Sequence, residues 1–214
     1  MIKNRNFLVG YKIVFGLLAL SSVALEMATL IGRGQFEAGN FFSYFTIESN
    51  LIAATVLLTS AAAFYQKFDA KQLATLDSLR GAATLYMVTT GIVFSVLLAG
   101  YDARTLTAVP WDNVVLHYIM PVALLVDWLF DTPHKRVPMR RAGLWLLFPL
   151  VYVAYSLIRG SVVGWYPYPF LNPMNNGYGG VVIVSLGIAA TVAFMTWVLV
   201  GPLGQPRKKA YHSQ

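Results

Sequence analysis

Six long apolar stretches, each at or near the length needed to cross a bilayer, constrain this chain more than any other feature. A spanning helix takes about 20 mostly apolar residues to cross roughly 30 Å of hydrocarbon. The stretches run over 7–31, 41–65, 79–98, 114–130, 142–158 and 180–200. Of the 214 residues, 57% are hydrophobic and only 12% charged, where a soluble domain carries about 25% charged residues. Mean hydropathy is +0.60. The expected fold is therefore all-α: a polytopic membrane protein, one bundle of six transmembrane helices over 1–214, with 201–214 as a basic tail. The apolar part of the first stretch is too long for a signal peptide, and no small-residue cleavage site precedes the next span, so it reads as a retained helix.

The basic residues fall between the stretches in a regular alternation. Lys3, Arg5, Lys67, Lys71, Arg80, Lys135, Arg136, Arg140, Arg141, Arg207, Lys208 and Lys209 take one side, and Arg33, Arg104 and Arg159 the other. Loops rich in Lys and Arg stay in the cytoplasm, which predicts that both termini are cytoplasmic. This distribution also accounts for the net charge of +7 without a nucleic-acid partner. With no cysteine in the chain, disulfides, thiolate metal sites and cysteine nucleophiles are excluded.

Ionisable groups inside apolar helices are costly and mark either a functional interior or a paired structural site. Here they are Lys12, Glu26, Glu48, His117 and Asp127, with Thr46 and Asn50 as neutral companions. Lys12 is expected to snorkel to the headgroups, as long cationic side chains near a helix end do. Asp127 is expected to pair with a basic loop or cap a neighbouring helix. Glu26, Thr46 and His117 lie at one expected depth, with Thr46 about 7 Å and His117 about 6 Å below the boundary at 1.5 Å per residue. Thr46 and Asn50 share a helix face, and Glu48 points about 160° away from Thr46. Pro121 takes the hydrogen bond from the His117 carbonyl and is expected to kink that helix. On the residues alone, a functional polar site and a hydrogen-bonded network that only locks the bundle both stand. A single intramembrane histidine argues against a metal centre, since zinc sites typically want three protein ligands. The hydroxyl-plus-histidine pair is the activated nucleophile that this inventory permits.

The loop Gly164, Trp165, Tyr166, Pro167, Tyr168, Pro169, Phe170, together with Trp111, suits an interfacial aromatic belt, and a lid over a cavity is the alternative.

Two segments carry a resemblance. Tyr44, Phe45, Thr46, Ile47, Glu48, Ser49 and Asn50, and Leu116, His117, Tyr118, Ile119, Met120 and Pro121, resemble the prokaryotic branch of the androgen-induced-gene family, which includes the androgen-dependent TFPI-regulating protein. The likeness extends to the loop at 165–172 and to the six-helix layout. It implies a membrane threonine hydrolase of fatty acid esters of hydroxy fatty acids, in a prokaryotic plasma membrane. It matches Thr46 to the family's nucleophile, with Tyr44 and Asn50 around it, and His117 to its base.

The expected activity is hydrolysis of a lipid ester that reaches the site from the bilayer, without a cofactor. Asn50 and backbone amides near Pro121 are the expected oxyanion donors, and Glu26 or Glu48 the groups orienting the imidazole. The rival reading is a non-enzymatic carrier of a small molecule or ion that binds at the same polar cluster.

Overall fold

A computed structural model describes residues 5–100 and 107–205. It is 81% helical, with no strand among the described residues. Six helices are long and apolar enough to cross a membrane: α1 (Arg5–Gly32), α2 (Phe45–Ala63), α3 (Ala70–Leu98), α4 (Pro110–Phe130), α5 (Met139–Val163) and α6 (Pro173–Val200). In hydrocarbon every backbone N–H and C=O must find its partner inside the segment, and a helix does this where an open strand cannot. The protein is an integral membrane protein by that criterion. Lys3, Arg104, Arg207, Lys208 and Lys209, which enter the expected orientation, lie outside the described residues.

The helix ends differ from the expected ones for local reasons. α2 begins at Phe45, four residues late, because Ala38–Phe41 forms a separate turn before it. α3 begins at Ala70, where Asp69 accepts from the Lys71 and Gln72 amides and Gln72 returns a bond to the Asp69 amide. That capping box starts the helix well before its apolar run. α4 begins at Pro110, a favourable first residue because its missing N–H would have had no partner. α5 ends in a left-handed Gly164 with φ +71°, and α6 opens on the Asn172 side chain, which accepts from the Met174 amide at 2.9 Å.

The middle helices α2, α3 and α4 are the most enclosed, and α5 and α6 the most lipid-facing. Lipid tails are as apolar as leucine, so close packing and polar contacts hold such helices together. α1 lies along α2, where Gly16 leaves room for the Leu58 side chain and the Ala54 carbonyl, and Ala19 clusters with Ala53 and Ala54. The body of α5, Leu147–Val163, instead reaches the bundle through large side chains. Its Phe148 and Tyr152 rings lie 5.3 and 5.0 Å from Phe45. α6 packs on α3 and on the Pro169–Leu171 turn, and meets α5 chiefly at its first residues, Met139–Ala142 and Gly143–Leu146.

Lys12 does not snorkel. It is fully buried and paired with Asp127 of α4, with Asp131 at 2.9 Å. Arg80 is likewise no loop residue but sits inside α3, buried, with Asp127 at 2.8 Å, Asp131 at 3.1 Å and Asp77 at 3.4 Å. The His134 amide and ring Nδ1 meet the Asp77 carboxylate at 2.7 and 3.1 Å. Two cations thus face three carboxylates, and a protonated His134 completes the balance. Asp127 is the hub, since it alone binds both Lys12 and Arg80 with nearly buried oxygens. Removing one partner of a buried pair costs about 3–5 kcal/mol, because the remaining charge is stranded. Asp127→Asn should therefore lower the thermal midpoint in detergent sharply, while Glu37→Gln at the exposed far end should leave it unchanged. His134 adds a pH dependence. The hydrogen bond to Asp77 raises its pKa above 6.5. Its contribution is full below 6.5 and is lost as pH rises through the raised value, so the midpoint should decline there, and in His134→Ala that decline should vanish.

Candidate active site

At the opposite end of the bundle, α2 starts beside a widened turn of α4. Thr46 is the second residue of α2, so its amide is among the first-turn donors that no helix carbonyl can satisfy. His117 lies in the π-helical turn Val115–Ile119, where the Met120 amide bonds back to the Val115 carbonyl. Pro121 has no N–H to return to His117, and the helix absorbs that loss by widening one turn ahead of it. α3 carries a matching π turn, Phe94–Leu98, and the Phe94 ring stacks on the imidazole at 4.0 Å. The two helices come this close because residue 91 is glycine: a Cβ there would stand 3.0 Å from Pro121 and 3.3 Å from the His117 carbonyl.

Thr46 and His117 meet. The threonine Oγ1 lies 3.1 Å from His117 Nε2, and His117 Nδ1 lies 3.0 Å from the Asn113 carbonyl oxygen. A carbonyl only accepts, so Nδ1 carries the proton and Nε2 presents its lone pair to the threonine hydroxyl. Tyr168, from the loop between α5 and α6, adds a third group. Its hydroxyl accepts from the Thr46 amide at 3.2 Å and lies 3.2 Å from Thr46 Oγ1. Burial pushes the Tyr168 phenol up to about 12, so it stays protonated and donates to Oγ1. The hydrogen bonds thus run in one direction, from Tyr168 to Thr46 to His117 to the Asn113 carbonyl. All three side chains are buried.

The remaining expected residues are placed differently. Asn50 lies one turn below Thr46, but its amide donates to the Thr46 carbonyl at 2.8 Å and the Leu116 carbonyl at 3.3 Å. Both its hydrogens are used, so it ties α2 to α4 and offers nothing to an oxyanion. The Met120 amide next to Pro121 is likewise engaged. Glu26 accepts from the Ala108 and Val109 amides at 2.6 and 3.1 Å, fastening α1 to the segment that leads into α4. Glu48 faces neither His117 nor the cavities around it. Neither acid orients the imidazole, because the Asn113 carbonyl does. The ring of Tyr44 packs edge-on to Trp165 and Tyr168 at 5.5 and 5.8 Å. Sequence reasoning missed Asn113, Tyr168 and Phe94. Asn113 stands four residues before His117, one turn away on the same face, but it acts through its backbone, which no residue type announces.

Two cavities meet at this pair. A vestibule of about 660 Å³ has a mixed lining, with Glu26, Arg33, Gln35 and Asn172 beside Leu30, Phe41, Ile47 and Leu116. That volume lies within the roughly 300–1,000 Å³ usual for ligand pockets. On the other side is an apolar slot of about 60 Å³, walled by residues such as Val93, Pro149, Val153, Leu171 and Ile188. Thr46, Phe94, Leu98, His117 and Tyr168 line both. The 165–172 loop therefore turns inward over the site, with Tyr168 and Leu171 buried, rather than only girdling the interface.

The loop is seated by Gly160, where a Cβ would stand 2.1 Å from the Tyr166 ring. Gly160→Ala should push the loop outward and withdraw Tyr168. Chymotrypsin cleavage within 165–172 should then run several-fold faster than in the parent, with the thermal midpoint little changed. No family model, curated protein or solved structure matches this chain.

Proposed function

We propose that the protein hydrolyses lipid esters, with Thr46 as nucleophile and His117 as its base. The observation that carries this reading is the 3.1 Å contact of Thr46 Oγ1 with an imidazole nitrogen whose lone pair is freed by the Asn113 carbonyl. A nucleophile, a base within hydrogen-bond reach and a third group orienting that base form the general pattern of an activated hydroxyl. The resemblance to a family of threonine hydrolases of fatty acid esters of hydroxy fatty acids points the same way, and with it to a prokaryotic plasma membrane.

In the first step Thr46 Oγ1 attacks the ester carbonyl carbon while its proton passes to His117 Nε2. The tetrahedral intermediate collapses, and the departing alkoxide takes that proton from the imidazolium, leaving an acyl-threonine. Water then attacks the acyl carbon, again giving its proton to Nε2, and collapse releases the carboxylic acid and restores the threonine hydroxyl. Tyr168 first gives its one hydrogen to Thr46 Oγ1; once Oγ1 has bonded to the acyl carbon, that hydrogen turns to the neighbouring carbonyl oxygen, on which the charge has developed. No step needs a cofactor.

The test is hydrolysis of p-nitrophenyl esters by purified protein, together with labelling by a fluorophosphonate. Thr46→Ala should abolish both, and the adduct in the parent should map to the peptide containing Thr46. His117→Ala should lower turnover by about 10²–10⁴-fold, the usual contribution of a positioned base, with the fold intact. Thr46→Ser should keep part of each activity. Hydrolysis that survives in Thr46→Ala would sink the mechanism and leave the vestibule as the binding site of a carrier.

A further inference from the structure

The two cavities at Thr46 differ in size and in lining, the small one almost wholly apolar and the large one mixed. On the ester-hydrolase reading, we infer that the apolar slot takes a single acyl chain, which reaches it from the bilayer through the seam between α5 and α6, while the larger vestibule takes the alcohol half of the ester. Three observations carry this. First, the walls of the slot are the inner sides of the seam itself, Pro149 and Val153 from α5 and Ile188 from α6, and its inner end is Thr46 with His117. Second, α5 and α6 are fastened to each other chiefly at Met139–Ala142 and Gly143–Leu146, the end remote from the site. Towards the site the two helices are held by other partners. Tyr155 bonds to Ser43 at 2.8 Å and Arg159 to Asn40 at 2.7 Å, both at the start of α2 or before it, while α6 leans on the Pro169–Leu171 turn. Third, α6 breaks at Gly177, with φ 63° and ψ 166°, so its first residues form a separate piece from the rest of the helix.

The slot as it stands is far smaller than the volume ligands usually occupy. A chain fits only when the seam parts, and here parting breaks no ion pair and no hydrogen bond between α5 and α6 among the described residues. Both helices are already among the least enclosed of the six, so lipid tails lie against the seam from outside. The vestibule is larger and has a mixed lining. Its Arg33, Glu26, Gln35 and Asn172 suit the water of the second step and the polar end of the leaving alcohol, and Leu30, Phe41, Ile47 and Leu116 suit that alcohol's apolar part. Side chains at 153 and 188 therefore set how much of the acyl chain the protein accepts.

The experiment exploits the absence of cysteine. In Ile188→Cys, alkylation by N-ethylmaleimide adds bulk to the slot after folding is complete. Hydrolysis of p-nitrophenyl palmitate should fall by about tenfold or more, while p-nitrophenyl acetate, which leaves the slot empty, should change by less than about twofold. Ile188→Trp should shift the same ratio in the same direction. Equal losses on both esters, or no loss on either, would overturn the assignment. A second measurement is independent of turnover: a diazirine-bearing palmitate in phosphatidylcholine vesicles should photolabel the peptides around Val153 and Ile188 in the parent, and alkylated Ile188→Cys should lose those adducts. Adducts spread evenly over the lipid-facing helices would overturn the inference. A parent that is labelled at the seam but cleaves neither ester would refute the hydrolase reading and leave the acyl site standing.

Discussion

A charge left without a partner in hydrocarbon costs more than most other contacts can return, and this one constraint organises the bundle. Lys12, Arg80, Asp127 and Asp131 answer it jointly, and they come from α1, α3 and α4. Sliding any one of these helices by a turn would strand a charge, so the cluster sets their register. With the register set at that end, Gly91 meets Pro121 and the Phe94 ring meets His117 farther along the same two helices. The polar cluster thus positions the candidate site without touching it.

The site end is built on a different principle. No ion pair holds Thr46 and His117; a directional chain of neutral hydrogen bonds does, with each donor satisfied by one acceptor. Neutral groups are the cheaper choice at a buried junction, because burying them with their hydrogen bonds made costs far less than burying charges. The π turns in α3 and α4 supply the space. Each widens its helix at the level of His117, and the proline that forces one of them is packed by a glycine on the other helix.

The loop at 165–172 joins the two halves of this arrangement. Its aromatic residues suit an interface, and Trp165 does stack under Arg159 at 5.1 Å. Tyr168, however, turns inward to cap the start of α2, doing for the Thr46 amide what an N-cap side chain would otherwise do, while Tyr152 of α5 does the same for Phe45 at 3.3 Å. Two tyrosines from elsewhere in the chain replace the local cap that Tyr44 does not provide. That substitution places a phenol beside a threonine hydroxyl.

The sequence by itself determined the fold class, because six apolar stretches leave the backbone no alternative to helices. It also brought Thr46 and His117 to one level, although both helix starts were misplaced: α2 begins four residues later and α4 four residues earlier than hydropathy suggests. Hydropathy marks where lipid contact ends, whereas a helix ends where its caps are. Only the tertiary structure decided the partners. Lys12 read as snorkelling because sequence shows a cation near a helix end and cannot show a carboxylate 115 positions away on another helix. Asn113 orients the imidazole through a carbonyl that every residue possesses, and Asn50, whose amide looked suited to an oxyanion, spends both hydrogens on carbonyls. Residue type determines what a side chain is able to do, and which of those capacities remain free depends on neighbours that only folding supplies.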